Sequence, residues 1–96
     1  MVYYKKKQYE LLGFQKSNRK GKMYDAIIQN ILTKKSINVP FGSVSYQNYQ
    51  DKTGLNLYPE LIHGDKKRKI LYKARHKHNV RSGYFSPGYF SYKYLW

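Results

Sequence analysis

The sequence predicts a small α+β domain: a three-stranded antiparallel sheet with a basic amphipathic helix and an aromatic C-terminal segment packed on it. Alternating apolar and polar residues in the first half of the chain indicate strands, whereas Asp65–His78 has the spacing of a helix. An aromatic share of 18% is too high for a disordered basic tail, which would be poor in aromatic residues. The 96 residues contain no internal repeat and no linker, so we expect one small basic domain over residues 1–96.

The three predicted strands follow one another in the first half of the chain. Residues 1–7 form a basic leader, which is either an arm or the approach to the sheet, and Gln8–Phe14 has the pattern of a first strand. After a basic turn, Met23–Thr33 is rich in β-branched residues and favours a strand, although its isoleucine spacing also fits a helix. In Ile37–Gly42 the apolar residues alternate, which gives a third antiparallel strand.

The stretch from residue 43 to residue 64 is predicted to be mostly loop. It contains several tyrosines and the turn signal Asp51–Gly54. Tyr58 precedes a proline, which displaces it from the helical region and interrupts any regular element. We therefore expect only short helical turns here, at Ser45–Gln50 and at Pro59–His63.

Asp65–His78 is predicted to form an amphipathic helix, with the first of these residues as its N-cap. One side of the helix would carry Lys67, Leu71, Ala74 and His78, flanked by Ile70. The other side would be a cationic face made by Lys66, Lys69, Lys73 and Lys77.

The tail Tyr84–Trp96 is the most aromatic part of the chain, with seven aromatic residues among thirteen. So dense an apolar segment is not left in water, so we expect it to be ordered, with a short helix after Pro87 folded onto the sheet or the basic helix. Burial of Tyr89, Phe90, Leu95 and Trp96 would then stabilise the fold.

The charge balance indicates an anionic partner. Lys and Arg total 19 against 5 Asp and Glu, a net charge of +14 that repels itself within a folded monomer. Asp and Glu have A/T-rich codons, as Lys does, so a biased base composition does not explain the imbalance. The chain has no Cys, which excludes a disulfide framework and a thiolate metal site. Because it has neither a signal-peptide pattern nor an apolar stretch of about 18 residues, we expect a protein that is not secreted and has no membrane partner.

The sharpest functional feature is the run Lys66–Arg81, which holds eight Lys and Arg residues and no acid. Four of these cations lie in the first helical turn, where the macrodipole disfavours each by roughly a few tenths of a kcal/mol, so another interaction must favour them. Solvated helix faces normally mix charges of both signs. We therefore predict that this run binds nucleic acid through Lys66, Lys67, Arg68, Lys69, Lys73, Arg75, Lys77 and Arg81.

A second basic cluster lies in the turn after the first strand and would form the other wall of a groove. Its members are Lys16, Arg19, Lys20 and Lys22. Neutralisation of phosphates would supply affinity without reading a base sequence. Arg68 and Arg75 share a helix face, and each can bind a phosphate through two parallel hydrogen bonds, which Lys cannot do.

The 12 tyrosines of the chain are expected to serve mostly in the core. Stacking on unpaired bases is the alternative role for those that remain exposed. The candidates for that role are Tyr3, Tyr4, Tyr46 and Tyr49.

Catalytic and metal-dependent functions are disfavoured. His76 and His78 point to different sides of a helix, and no Cys or nearby carboxylate completes a metal site. A nuclease would need His63 with Asp65, or Asp25 with Glu10, and five acids in all are few for a two-metal cluster. We predict no enzymatic activity, no metal and no cofactor.

Three stretches of the sequence carry a resemblance to a known family. They are Phe41-Gly42 with the spacing Tyr46-x-x-Tyr49; His63-Gly64-Asp65-Lys66-Lys67-Arg68-x-x-x-Tyr72-x-Ala74-Arg75-His76; and Ser82-Gly83-Tyr84-Phe85-Ser86-Pro87-Gly88-Tyr89-Phe90 with the closing Leu95-Trp96. From Tyr9 onward, and apart from an insertion at Thr53–Ile62, the chain resembles uncharacterised small basic proteins encoded by large nucleocytoplasmic DNA viruses, the giant viruses. The resemblance implies a viral origin and a place in the virion or with the viral genome, and it brings no assigned activity.

Two functions from different classes remain open. The first is non-catalytic binding of nucleic acid, with DNA favoured over RNA and no sequence specificity, in the packaging or organisation of a viral genome. The alternative is a minor structural or cement protein that contacts acidic surfaces of other virion proteins. We expect the protein in the virion or in the cytoplasm or nucleus of the infected cell, and the sequence leaves its oligomeric state open.

Overall fold

The computed structural model describes residues 4–81 and 83–96 and confirms the α+β fold class. A three-stranded antiparallel sheet is formed by Tyr9–Lys16 (β2), Lys22–Asn30 (β3) and Ser36–Ser43 (β4), with β3 in the centre. A second antiparallel sheet, which the sequence did not predict, pairs Tyr4–Lys5 (β1) with Tyr84–Phe85 (β5). Of the basic leader, residues 4 and 5 therefore form a strand, whereas residues 1–3 lie outside the described part of the chain.

The helical elements follow the larger sheet along the chain. They are a 3₁₀ helix at Pro59–Leu61, helix α1 at Lys66–His76, helix α2 at His78–Arg81, helix α3 at Pro87–Phe90 and a π-helical turn at Ser91–Leu95. The predicted helical turn after Pro59 is confirmed, but the one at Ser45–Gln50 is wrong. Asn48 instead forms an isolated parallel bridge with Ile62, in which its backbone N–H and C=O bond to neighbouring residues of that segment, and it is buried.

Strand β3 carries the centre of the core. Tyr24, Ala26 and Ile28 alternate along it and are fully buried. Their partners on β4 include Phe41 and Val39, which are also buried. The segment is therefore a strand and not the helix that its isoleucine spacing also fitted, because both of its edges pair with neighbouring strands.

The C-terminal tail completes the core, as predicted. Ser86 caps α3 by accepting a hydrogen bond from the backbone N–H of Tyr89 at 3.1 Å. Phe90 is fully buried, and its ring centroid lies 5.5 Å from that of Phe41 on the sheet. The tail also approaches the sheet closely at Gly42, where a Cβ atom would lie 3.0 Å from Leu95.

Candidate nucleic-acid interface

Helix α1 is attached to the rest of the protein through a narrow aromatic contact. The side chain of Asp65 accepts hydrogen bonds from the backbone N–H groups of residues 67 and 68, which confirms it as the N-cap. Two turns later the ring of Tyr72 stacks on that of Trp96, with centroids 4.2 Å apart and planes 5° from parallel. Burial raises the pKa of Tyr72, an effect that the nearby Arg75 opposes.

The packed side of α1 is not the one that the sequence suggested. Ile70 and Leu71, expected on the apolar side, are 68% and 56% exposed. The helix instead contacts the tail through the half-buried Tyr72, whose ring packs on Trp96 and lies 6.5 Å from that of Tyr92. An aromatic ring offers more area for contact than an aliphatic side chain, so the position of Trp96 decides which face of the helix packs.

An open groove lies beside this contact, and we call it the basic groove. It has a volume of about 670 Å³ and runs between α1, the loop after β4 and the C-terminal segment. Its lining includes Lys22, Gly42, Ser43, Tyr46, Gln47, Asn48, Arg68, Leu71, Tyr72, Arg75, His76, Asn79, Pro87, Gly88, Ser91 and Trp96. Among these described residues three are Lys or Arg and none is an acid.

Two of the predicted arginines form one wall of the basic groove. Arg68 and Arg75 are exposed and stand two helical turns apart, which corresponds to about 10.5 Å along the helix axis. The Nη1 atom of Arg68 donates a hydrogen bond to the side-chain oxygen of Gln47 at 2.9 Å. This bond orients one edge of the guanidinium group and leaves its other N–H donors for a ligand.

The second predicted basic cluster is divided by the fold. Lys22, the first residue of β3, lines the basic groove together with Arg68 and Arg75 of α1. Lys16, Arg19 and Lys20 are exposed at the end of β2 and in the turn to β3, and they are not part of the groove lining. Only one of the four cations therefore joins the two arginines.

The lysines of α1 are also divided. Lys66, Lys67 and Lys77 are exposed, as is Arg81 at the end of α2. Lys69 and Lys73 are half-buried on the other flank of the helix, with their ammonium groups above the rings of Tyr49 and Tyr92. The four lysines of the predicted cationic face are therefore not equally exposed to solvent. The tail and the loop place tyrosine rings beneath Lys69 and Lys73.

The carboxylates are mostly occupied within the fold. Asp51 accepts hydrogen bonds from the hydroxyl of Tyr24 and from Thr53, and Asp65 caps α1. Asp25 is buried and accepts a hydrogen bond from the side-chain amide of Gln15 at 3.3 Å. These three acids are therefore engaged in hydrogen bonds within the fold.

Most of the described tyrosines are buried or half-buried, and Tyr46 is exposed. Tyr46 is 72% exposed and lines the basic groove, so it keeps its predicted availability for stacking. Tyr4 is half-buried and packs edge-on against Tyr9, with ring centroids 5.4 Å apart. Tyr49 is half-buried beneath Lys69, and Tyr3 lies outside the described residues.

His63 and Asp65, which were considered for a nuclease, take part in the start of α1. The Nδ1 atom of His63 accepts a hydrogen bond from the backbone N–H of Asp65, whose carboxylate caps α1. Burial and the charge of Arg68 lower the pKa of His63, whereas the carboxylate of Asp65 opposes that shift. Within residues 4–81 and 83–96, no three His, Cys, Asp or Glu side chains are grouped so that they could hold a metal ion.

Some residues that surround α1 could not be recognised from the sequence. Gln47 accepts a hydrogen bond from Arg68, and Lys6, Lys52 and Lys93 belong to three other segments of the chain. Only the folded chain brings them to the helix.

Comparisons with models of protein families, with curated proteins and with solved structures found no match for this chain. In the part of the chain that the structure describes, each helix is too short or too polar to cross a membrane.

Proposed function

We propose that this protein binds nucleic acid without catalysis, through the phosphates of a strand lying in the basic groove. The observation that carries the proposal is the lining of that groove. Lys22 of β3 and Arg68 and Arg75 of α1 line it together, and no carboxylate lies among the described lining residues. A concave, open surface lined by cations from two elements suits a polyanion.

The spacing of the two arginines supports phosphates as the ligands. A separation of about 10.5 Å along the helix axis lets each guanidinium group contact a different phosphate of one strand, because adjacent phosphates of a strand lie closer together than this. Each guanidinium group can form two parallel hydrogen bonds to one phosphate. Such contacts supply affinity without base recognition, so we propose binding that is not sequence-specific, with Tyr46 available to stack on an unpaired base.

DNA is the nucleic acid that we favour, on the basis of the resemblance to proteins of large DNA viruses. In that setting the protein would act in packaging or organising the viral genome. Its placement in the virion or in the infected cell belongs to the same proposal.

The salt dependence of binding tests the proposal. Anisotropy of a labelled duplex of 20 base pairs is titrated with protein at 50, 100 and 200 mM KCl. Three phosphate contacts give a slope of log K against log salt of about −2.7, and Arg68→Gln with Arg75→Gln should reduce its magnitude by about 1.8. The matched control is Lys34→Gln with Lys35→Gln, which removes the same charge from the exposed turn between β3 and β4.

Two results would refute this function for the basic groove. One is a flat salt titration of the wild-type protein. The other is an arginine double variant that binds the duplex as the control variant does.

A second candidate function is supported by apolar exposure next to the groove. Ile70 and Leu71 are 68% and 56% exposed, which suits contact with another protein. The proposed partner would be an acidic surface of a virion protein. The test is a competition in which poly-L-glutamate is added to the bound duplex at equal concentrations of carboxylate and phosphate. Displacement of the duplex, together with weaker binding of poly-L-glutamate to Leu71→Ser, would favour this candidate over nucleic acid.

A further inference from the structure

A row of lysines begins at the flank of α1 that carries Lys69 and Lys73, continues through Lys52 and Lys93, and reaches Lys6 beside α2. We call these five residues the lysine row. They come from the N-terminal segment, the loop before the 3₁₀ helix, α1 and the C-terminal tail. Lys52 and Lys93 lie outside the basic segments that the sequence revealed, and the proximity of the five lysines is a product of the fold.

Aromatic rings position three members of the row. The ammonium group of Lys6 lies 4.2 Å from the ring centroid of Tyr89, and that of Lys69 lies 4.6 Å from the ring of Tyr49. The ammonium group of Lys73 lies 4.9 Å from the ring of Tyr92. Cation–π contacts of this kind reduce the freedom of long side chains and hold their charges in place.

The remaining two lysines are attached through the tail. The backbone N–H of Lys52 donates a hydrogen bond to the carbonyl oxygen of Tyr94 at 2.8 Å, so that its loop runs beside the tail. Lys93 follows directly after the tyrosine that lies under Lys73. The side chains of Lys52 and Lys93 are exposed and reach solvent at the edge of the row.

The charges of the row repel one another, and the ammonium group of Lys6 is also held by a hydrogen bond that it donates to the carbonyl oxygen of Val80 at 3.2 Å. Burial lowers the pKa of Lys73, and the cations Lys69, Lys52 and Lys93 lower it further. Burial likewise lowers the pKa of Lys6, with Lys93 adding to the shift. Ammonium groups that are held close together repel one another, and this repulsion destabilises the folded chain. A bound anion would reduce the repulsion, so the row suits an anionic ligand.

The row and the basic groove diverge from each other around α1. A helix has 3.6 residues per turn, so Arg68 and Arg75 lie on one side of the packed Tyr72, and Lys69 and Lys73 lie on the other. The mean directions of the two pairs differ by about 130° around the helix axis. Tyr72 lies between the two flanks, and it is packed against Trp96. A straight duplex seated in the basic groove on one flank therefore does not reach the lysine row on the other flank.

We propose that the lysine row is a second phosphate-binding surface, so that one chain holds two separate segments of nucleic acid at the same time. This inference rests on the proposed function for its first segment and adds the bridging of a second one. Phosphate contacts by Lys are those of point charges, so the row binds the backbone without reading bases.

A bridging assay tests the inference. A biotinylated duplex of 30 base pairs is immobilised, protein is added below the concentration of duplex, and retention of a second, fluorescent duplex is measured in 100 mM KCl. The wild-type protein should retain the second duplex. Lys52→Gln with Lys93→Gln should bind the first duplex within about threefold of wild-type affinity and lose at least about tenfold of the retained fluorescence. Both changes are at exposed positions, so folding is preserved, and thermal melting checks this.

Two further variants separate the outcomes. The control Lys34→Gln with Lys35→Gln, which carries the same charge change, should still bridge. Arg68→Gln with Arg75→Gln should keep residual binding through the row and fail to bridge. A wild-type protein that never binds the immobilised duplex would refute the proposed function itself.

The inference about the row has its own refutations. It is overturned if the wild-type protein binds the first duplex but does not retain the second, or if the variant at positions 52 and 93 bridges as well as the control. The inference would also be overturned if sedimentation at the assay concentration showed that the protein is a dimer and the variant at positions 52 and 93 still bridged, because bridging would then depend on the dimer.

Discussion

Replacing Trp96 with Ala should remove the main contact that holds α1 in place. The indole side chain is 8% exposed and stacks on Tyr72 at 4.2 Å, and it also lies 5.2 Å from the ring of His63. Helix α1 itself has no fully buried residue. Among its contacts, the largest buried surface is therefore the one with this residue of the tail, and the hydrogen bond of Arg68 and the cation–π contacts of Lys69 and Lys73 add to it.

The magnitude follows from the burial of the side chain. Truncation of a buried Trp to Ala costs about 3–5 kcal/mol, of which an aromatic stack contributes about 0.5–1.5 kcal/mol. A small domain has about 5–15 kcal/mol in total, so the variant should retain only part of its stability. With an m-value near 1.5 kcal/mol/M, the urea midpoint should fall by about 2–3 M.

The measurement is urea unfolding followed by circular dichroism, because the variant lacks the only tryptophan of the chain. In the wild-type protein the emission of Trp96 should shift to longer wavelength together with the loss of ellipticity. Trp96→Phe is the matched control, since it keeps a ring against Tyr72 and should lose less than half as much. A midpoint for Trp96→Ala within 0.5 M of the wild-type value would refute the view that the tail holds α1.

Three further substitutions test the fold around the candidate interface. Tyr24→Phe should cost about 1–3 kcal/mol in urea unfolding, because it removes the hydrogen bond that the buried hydroxyl donates to Asp51 and the one that it accepts from the backbone N–H of Leu57. Burial, aided by Asp51, raises the pKa of Tyr24 from 10.0 to about 12. Between pH 10 and pH 12 the folded state therefore keeps a proton that the unfolded state releases. The stability of the wild-type protein should fall over this range more steeply than that of the Phe variant. Gly42→Ala should lower the Tm far more than Gly21→Ala, since both have positive φ but only at Gly42 would the Cβ approach buried side chains to 3.0 Å; equal losses would contradict the close packing of the tail. Asp65→Ala should cost about 1 kcal/mol through loss of the N-cap, whereas Asp65→Asn should keep most of it, and an unchanged urea midpoint for the Ala variant would exclude a capping role.

Local chemistry determined the elements of this protein. Apolar alternation located the three strands of the sheet, and Asp65 ahead of a run without Pro or Gly located the start of α1. The dense aromatic tail was expected to fold onto the core, and Phe90 does so. These features depend on neighbouring residues and on burial in general, so a sequence is enough to predict them.

Other features of the fold depend on pairs that are distant in the chain. The strand β1 pairs with β5 across almost the whole sequence, and no local pattern marks two residues as such a pair. The loop at Asn48 was expected to be helical, but its backbone bonds to the segment at Ile62 instead. Hydrogen bonds between segments override the weak propensity of a short turn.

The candidate interface shows the same division between sequence and tertiary structure. The sequence by itself determined that the protein carries a large excess of cations, that a helix presents many of them and that acids are too few to balance them. The tertiary structure alone decided which cations meet: Lys22 joins the two arginines across the basic groove, whereas Lys69 and Lys73 join lysines from three other segments. The physical reason is that helical periodicity fixes the angles between side chains but not the face that packs. That face was chosen by the stack of Tyr72 on Trp96, a contact between residues that the sequence places far apart.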